Sequence, residues 1–284
     1  MINLKDIESY VMLNNGVKMP LLGLGTYKAE DFNELNNAIK EALRIGYRHI
    51  DTASFYKNEE AVGHALKESG VSRKEIFLVN KLWNSDQGYE KTLKTFRTSI
   101  KKLKTDYLDG YLIHWPQPLN KETWRVFEKL YKEGYIRAIG VCNFTCNHLK
   151  DLMETAEIMP AINQIEFHPR LVQTELIEFY KENNIQIEAW SPLMRGMIFQ
   201  IPLFKQLSQK YNKTISQIAL RWDLQMGVVT IPKSTTLTRI KENSEIFDFE
   251  ISAEDMKKFK QLNIGFRLGM NPNDVYRNLE LITD

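Results

Sequence analysis

The chain has 284 residues, of which 43% are apolar and 26% charged, and its formal net charge is +2, so it can build a sizeable core but carries no concentrated basic field for nucleic acid or membranes. No run approaches the roughly 18 apolar residues that span a bilayer, and Met1-Ile2-Asn3-Leu4-Lys5-Asp6 lacks a signal-peptide pattern. Two cysteines, Cys142 and Cys146, suit a reducing compartment without disulfides, so a cytosolic protein is expected.

The elements alternate along the chain. Tyr10-Val11-Met12-Leu13, a turn at Asn14-Asn15-Gly16, and Val17-Lys18-Met19 predict an opening hairpin. Short apolar runs then predict buried strands ending near Gly25, Asp51, Asn80, Ile113, Val141, Gln164, Ala189 and Ile231. Helical patterns separate them: Phe32 to Leu43, Glu59 to Glu68, Tyr89 to Leu103, Thr123 to Glu133, Asn147 to Thr155, Glu175 to Asn183 and Ser216 to Gln225. A last helix is expected from Ala253 to Leu262, capped by Ser252. Eight strand–helix units in about 250 residues predict a (β/α)8 TIM barrel, an α/β fold, after an N-terminal β-hairpin. No linker breaks the alternation, so residues 1–284 read as one barrel domain. An open dinucleotide-binding sheet is disfavoured, because Gly23-Leu24-Gly25 is followed by Lys28 where a third glycine belongs.

Parallel strands deliver their ligand-binding residues at their carboxyl ends. Asp51, Tyr56, Lys81 and His114 each follow such a run, so a carboxylate, a phenol, an amine and an imidazole should converge at one rim. An ordinary phenol, with a pKa near 10, is a poor acid at neutral pH. An ammonium about 4 Å away, at an effective dielectric of about 20, favours the phenolate by roughly 4 kcal/mol, or about three pKa units. Asp51 would keep Lys81 charged while weakening its effect on Tyr56. His114 would orient a substrate oxygen or share its proton.

Gly46-Tyr47-Arg48-His49-Ile50-Asp51-Thr52-Ala53 with Tyr56, then Lys81-Leu82-Trp83, Leu112-Ile113-His114-Trp115-Pro116 and Ile231-Pro232-Lys233-Ser234 resemble the aldo-keto reductases, in their short-loop prokaryotic form. The resemblance runs from the hairpin to about Leu262. It implies a barrel that binds a nicotinamide cofactor without a Rossmann fold and reduces aldehydes or ketones to alcohols by direct hydride transfer, with no metal. On this chain it makes Tyr56 the general acid, Lys81 the group that lowers its pKa, Asp51 the support of Lys81, and His114 the group that positions the carbonyl.

The cations Lys233 and Arg239 and the Ser234 hydroxyl in Lys233-Ser234-Thr235-Thr236-Leu237-Thr238-Arg239-Ile240-Lys241-Glu242-Asn243, a loop leading into a helix, are suited to a phosphate. By resemblance, Lys233, Ser234 and Arg239 hold the 2′-phosphate of NADPH/NADP+, and Glu242 and Asn243 contact the adenine. Asn143 and Gln164 resemble the pair that anchors the nicotinamide carboxamide. Gly25 and Thr26 also fall to the cofactor, as do Ser191 and Leu193 in a loop resembling the pyrophosphate loop, where Met194 stands in place of the common glycine. Trp190 replaces the stacking tyrosine usual in the family, and Cys142 replaces a serine, which predicts looser anchoring of the carboxamide.

Tyr27, Trp83, His114 and Trp115 are expected to line the pocket for a small carbonyl substrate, with Phe55 beside them. The segment from Gly265 to Asp284 departs from the family pattern and bears on substrate choice. No added interface element is present, so a monomer is expected. Two alternatives stand beside the reductase: a non-catalytic NADPH-binding barrel, of the channel-subunit or lens-protein kind, and a metallohydrolase built on His49, Asp51, His114 and His168.

Overall fold

A computed structural model describes residues 4–275. Strands β1 (Tyr10–Met12) and β2 (Lys18–Pro20) form the opening hairpin, with Val11 opposite Met19. Gly16 closes its turn at a φ of 81°, a conformation open to glycine at little cost. Eight parallel strands follow. They are β3 (Leu24–Gly25), β4 (His49–Asp51), β5 (Phe77–Leu82), β6 (Leu108–Ile113), β7 (Ile136–Cys142), β8 (Ile162–Glu166), β9 (Gln186–Trp190) and β10 (Val229–Thr230), each paired with the next in chain order.

The sheet closes between its first and last strands. The Gly23 amide donates to the Thr230 carbonyl at 2.9 Å, Thr230 to Leu21 at 3.0 Å and Gly25 to Pro232 at 3.2 Å. The two early glycines thereby find their physical reason. A Cβ on Gly23 would sit 2.8 Å from the His49 ring, and one on Gly25 would sit 2.8 Å from the Ile231 carbonyl oxygen. They allow close approach at the barrel seam and form no phosphate turn.

Helices cover the outside: α1 (Phe32–Arg44), α2 (Glu59–Glu68), α3 (Tyr89–Leu103), α4 (Asn120–Lys132), α5 (Cys146–Met153), α6 (Thr174–Asn183), α7 (Pro202–Tyr211), α8 (Ile215–Gln225), α9 (Leu237–Ser244), α10 (Ala253–Lys258) and α11 (Pro272–Val275). In α1 the buried stripe is Leu35, Ala38, Ile39, Ala42 and Leu43, and Asp31 caps the first turn by accepting from the Glu34 amide. Ser252 caps α10 in the same way, through the Asp255 amide. The helix expected over 253–262 ends its α-helical part at Lys258 and tightens into a 3-10 turn over Phe259–Leu262.

Every expected strand end falls within two residues of the observed one. Lys81 is the exception in kind: β5 runs on to Leu82, so Lys81 stands inside the strand rather than beyond it. β5 and β6 are buried along their whole length, as parallel strands covered on both faces must be. Helix α7 has no counterpart in the sequence expectations. Of the segment 265–284, residues 276–284 lie outside the described residues.

Candidate active site

The C-terminal rim of β4, β5 and β6 brings the four reactive groups together. Asp51 ends β4, Lys81 is the penultimate residue of β5, His114 follows β6, and Tyr56 ends the 3-10 turn Ser54–Tyr56 that leaves β4. The Lys81 Nζ donates to Asp51 Oδ1 at 2.5 Å, to the Thr52 carbonyl at 3.2 Å and to Tyr56 Oη at 3.3 Å. Lys81 is fully buried, and Asp51 and His114 are buried with it. The His114 ring meets Tyr56 edge-on, with centroids 5.7 Å apart.

Burial governs the charges here. It pulls the Lys81 amine down, but the adjoining Asp51 carboxylate outweighs it and holds the ammonium charged. It pushes the Tyr56 phenol up, and the opposing pull of Lys81 does not overcome it. The expected downward shift of Tyr56 is therefore corrected: the net direction is upward, because desolvating a phenolate costs more than the one shared ammonium returns. Burial, assisted by Lys81, holds His114 well below the ordinary imidazole value, so its ring is neutral. Its Nδ1 is buried without a hydrogen-bond partner among the described residues.

Asp51, Tyr56 and His114 open onto a cavity of about 740 Å³. One part of its wall is aromatic, from Tyr27, Phe55, Trp83 and Trp115. Phe55 stacks on Trp83 with ring centroids 3.8 Å apart, and Trp83 meets His114 edge-on at 5.0 Å. Another part carries Gly25, Cys142, Asn143, Gln164, Trp190, Ser191, Leu193 and Lys233, as expected, together with Lys28 and Arg195. Lys28 was not anticipated as a site residue. Its signal was its place in Gly25-Thr26-Tyr27-Lys28, one rim loop, where it holds a positive φ of 57°.

Asn143 follows β7 at a φ of 64°, a region that asparagine tolerates better than most residues. Its Nδ2 donates to the His114 carbonyl at 3.0 Å and to Cys142 Sγ at 3.3 Å, and its Oδ1 accepts from the Trp190 indole N–H at 2.8 Å. The Gln164 Nε2 donates to Asp51 Oδ2 at 2.8 Å and to Glu188 Oε2 at 2.7 Å.

The remaining cofactor candidates do not line the cavity. Thr26 is buried and donates its hydroxyl to the Asp51 carbonyl at 2.9 Å, so it fixes the β3–β4 rim. Ser234 turns its hydroxyl to Thr236. Arg239 is exposed on α9, Asn243 is buried there, and the Glu242 carboxylate accepts from the Thr214 hydroxyl at 2.7 Å.

A strap of Leu268, Gly269 and Met270 completes the cavity wall. The buried Glu166 carboxylate pins it, accepting from the Leu268 amide at 2.5 Å and the Gly269 amide at 3.0 Å. The expectation that the chain beyond Gly265 shapes the pocket rests on these three residues. The metal set does not assemble: His49 faces Glu188 at 3.2 Å and His168 faces Glu166 at 3.0 Å. Among the described residues no group of three or more His, Cys, Asp or Glu side chains is arranged to hold a metal ion.

Comparison with known proteins places this geometry. The family model described as "Aldo/keto reductase family" matches residues 21–264. The glyoxal reductase of Bacillus subtilis (strain 168) is 55% identical over 271 residues, which cover 95% of this chain and 98% of that protein. An aldo-keto reductase enzyme from a Medee basin deep-sea metagenome library superposes with a TM-score of 0.91 at 47% identity, covering 94% of this chain and 99% of that one. The Bombyx mori aldo-keto reductase in complex with NADP superposes with a TM-score of 0.89 at 32% identity, over 96% of this chain and 98% of that one.

Proposed function

The chain belongs to the aldo/keto reductase family and is an NADP(H)-dependent oxidoreductase, and from that premise we propose that it reduces small aldehydes and ketones to alcohols with Tyr56 as the general acid. The observation that carries the reading is the buried Lys81 ammonium bonded at once to Asp51 Oδ1 and Tyr56 Oη, two residues on the wall of an aromatic-sided cavity.

The residues fit the cofactor. Asn143 and Gln164 turn amides to the cavity for the carboxamide, Trp190 offers an indole face, and Lys28, Arg195 and Lys233 bring cations to the phosphates. Arg239 and Ser234 join Lys233 at the 2′-phosphate in this reading, with Glu242 and Asn243 toward the adenine. When bound, the reduced nicotinamide supplies the hydride. Every other step belongs to the protein. The neutral His114 donates from Nε2 to the carbonyl oxygen and fixes its direction. As that oxygen gains alkoxide character it becomes far more basic than the phenol, and Tyr56 gives up its proton. The phenolate left behind is stabilised by Lys81, which Asp51 keeps charged and in place. A phenol held above its ordinary pKa is protonated across the physiological range, the state a general acid needs.

The substrate class follows from the walls. Phe55, Trp83 and Trp115 exclude water around the reacting carbon and leave room for short aldehydes. Two-carbon and three-carbon oxo-aldehydes are the first to test, since the Bacillus relative is a glyoxal reductase.

The test is NADPH consumption by purified protein across a panel of small carbonyls, repeated with Tyr56→Phe. Turnover should fall by about 10²–10⁴-fold, the contribution of a positioned acid, while NADPH binding persists. A Tyr56→Phe enzyme as fast as the parent would remove Tyr56 from the mechanism. Tight NADPH binding with no turnover of any carbonyl would favour a non-catalytic barrel.

A further inference from the structure

Beneath the cofactor face lies a polar chain that the mechanism above does not use. It runs from Asp51 through Gln164 to Glu188 and His49, across β4, β8 and β9, and all four side chains are buried. A single nitrogen, Gln164 Nε2, donates to both carboxyl groups, at 2.8 Å to Asp51 and 2.7 Å to Glu188. Two carboxylates held that close in a dry interior cannot both keep a charge. The available cation settles which one does. Lys81 sits 2.5 Å from Asp51, whereas the remaining oxygen of Glu188 faces His49, whose ring burial depresses to about 3 and so keeps neutral.

The unsatisfied atoms agree. Glu188 Oε1 and His49 Nε2 are both buried, neither makes a well-formed hydrogen bond, and they face each other at 3.2 Å. A proton on Oε1 relieves the contact of two buried acceptors. Buried polar atoms without partners are uncommon enough to require such an account.

We propose that Glu188 is a positioning residue for the cofactor: carrying the one proton the two carboxyls must share, it holds the Gln164 amide with its nitrogen toward Asp51 and Glu188 and its oxygen free for the nicotinamide carboxamide. Both N–H bonds of that amide are spent on the carboxyls, so Oε1 is the end left for a ligand, accepting among the described residues only from the Cys142 thiol at 3.7 Å. Glu188 also keeps a second negative charge away from Asp51, and hence from the pair that serves Tyr56. The titratable groups around Glu188 are Asp51 and His49 on β4, Lys81 on β5 and the Cys142 thiol on β7. Burial and the Asp51 charge push Glu188 up to about 8.

The inference rests on the cofactor assignment above, and its decisive readout is NADPH affinity, which does not depend on any carbonyl being turned over. Affinity is followed against pH by quenching of tryptophan fluorescence in the parent, Glu188→Gln and Glu188→Ala. The parent should bind less tightly as pH rises through about 8, when Glu188 ionises and its charge repels that of Asp51 across the amide that bridges them. Glu188→Gln accepts from Gln164, donates to His49 and cannot ionise, so its affinity should stay level through that range. Glu188→Ala should bind about tenfold more weakly at neutral pH, the factor for one lost buried hydrogen bond, and Glu188→Gln should recover most of that loss. An alkaline fall that persists in Glu188→Gln, or a parent without one, overturns the proposal. So does an alanine variant that binds like the parent. If the alanine variant does not fold, the pH profiles of the parent and Glu188→Gln decide alone. Failure of the parent to reduce any carbonyl would count against the reductase reading and leave this result standing.

Discussion

Replacing Lys81 by Met tests the buried pair on which the site depends. Met keeps most of the side-chain length and removes the ammonium. Asp51 Oδ1 then loses its 2.5 Å partner, while Oδ2 keeps only the Gln164 amide. With Lys81 fully buried and Asp51 nearly so, an uncompensated carboxylate is left in a dry interior, and breaking such a pair from one side costs about 3–5 kcal/mol. At about 2 °C per kcal/mol for a chain of this size, the unfolding temperature should fall by roughly 6–10 °C at neutral pH. The sign of the pH dependence follows. Without Lys81 the Asp51 carboxyl is raised further, the folded state binds a proton that the unfolded state has released, and the deficit should shrink as pH falls. Asp51→Asn added to Lys81→Met removes the stranded charge, so the double variant should be more stable than Lys81→Met alone. Thermal unfolding of the four proteins of this cycle at neutral and acidic pH is the assay. A Lys81→Met deficit that neither Asp51→Asn nor acid relieves would refute the argument, because the loss would then lie in packing.

Gly269→Ala puts a Cβ 2.6 Å from the Trp190 ring edge and 3.3 Å from the Glu166 carboxylate, so the strap must lift from the cavity wall. KM for the carbonyl should rise several-fold with little change in unfolding temperature, and an unchanged KM would detach the strap from the substrate pocket. Lys233→Ala and Arg239→Ala should each weaken NADPH by about tenfold or more, the weight of a hydrogen bond to a charged group, and leave NADH nearly untouched. Equal losses for both cofactors, measured as kcat/KM, would place these cations away from the 2′-phosphate. Between about pH 5 and 8 the folded state holds a proton on Glu188 that the unfolded state has lost. Glu188 should therefore contribute a decline of up to about 1.4 kcal/mol per pH unit, read above about pH 6.5 where the buried neutral His49 and His114 no longer oppose it, and Glu188→Gln should abolish that contribution in urea titrations.

The strand ends were legible because a parallel strand buried on both faces is an unbroken apolar run, and it stops where the chain meets the ligand. Ile50 and Asp51, or Ile113 and His114, show that step within one peptide bond. Helix α3 was legible for a similar reason, having one apolar stripe among lysines and a glycine immediately before it. Helix α7 was hidden because it follows a 3-10 stretch over Met194–Gln200 and starts at Pro202, and proline reads as a break although it is well suited to a first helical position. Glu188 was hidden for a different reason. In Gln186-Ile187-Glu188-Ala189-Trp190 alternation alone suggests a polar face in water, and only the closed barrel sets that face against His49 and Gln164. The strap at 268–270 depends likewise on Glu166, about a hundred residues earlier.

Cys142 and Trp190 are the two places where the sequence departs from the family at the expected nicotinamide pocket, and only Cys142 predicts a weaker anchor. The structure joins them on one side chain. The Asn143 amide has its oxygen held by the Trp190 indole at 2.8 Å and its nitrogen by the His114 carbonyl and Cys142 Sγ. A sulfur at 3.3 Å is a poor acceptor, so that end of the amide is held more softly than a serine would hold it. The indole N–H is a firm donor on the opposite end, and it belongs to the residue proposed to supply the stacking face. The larger ring thus restores from one side the orientation that the thiol relaxes on the other. Gly269, lying against the far edge of the same indole, then ties the strap on the cavity wall to the residue that, in the proposed reading, orients the carboxamide anchor.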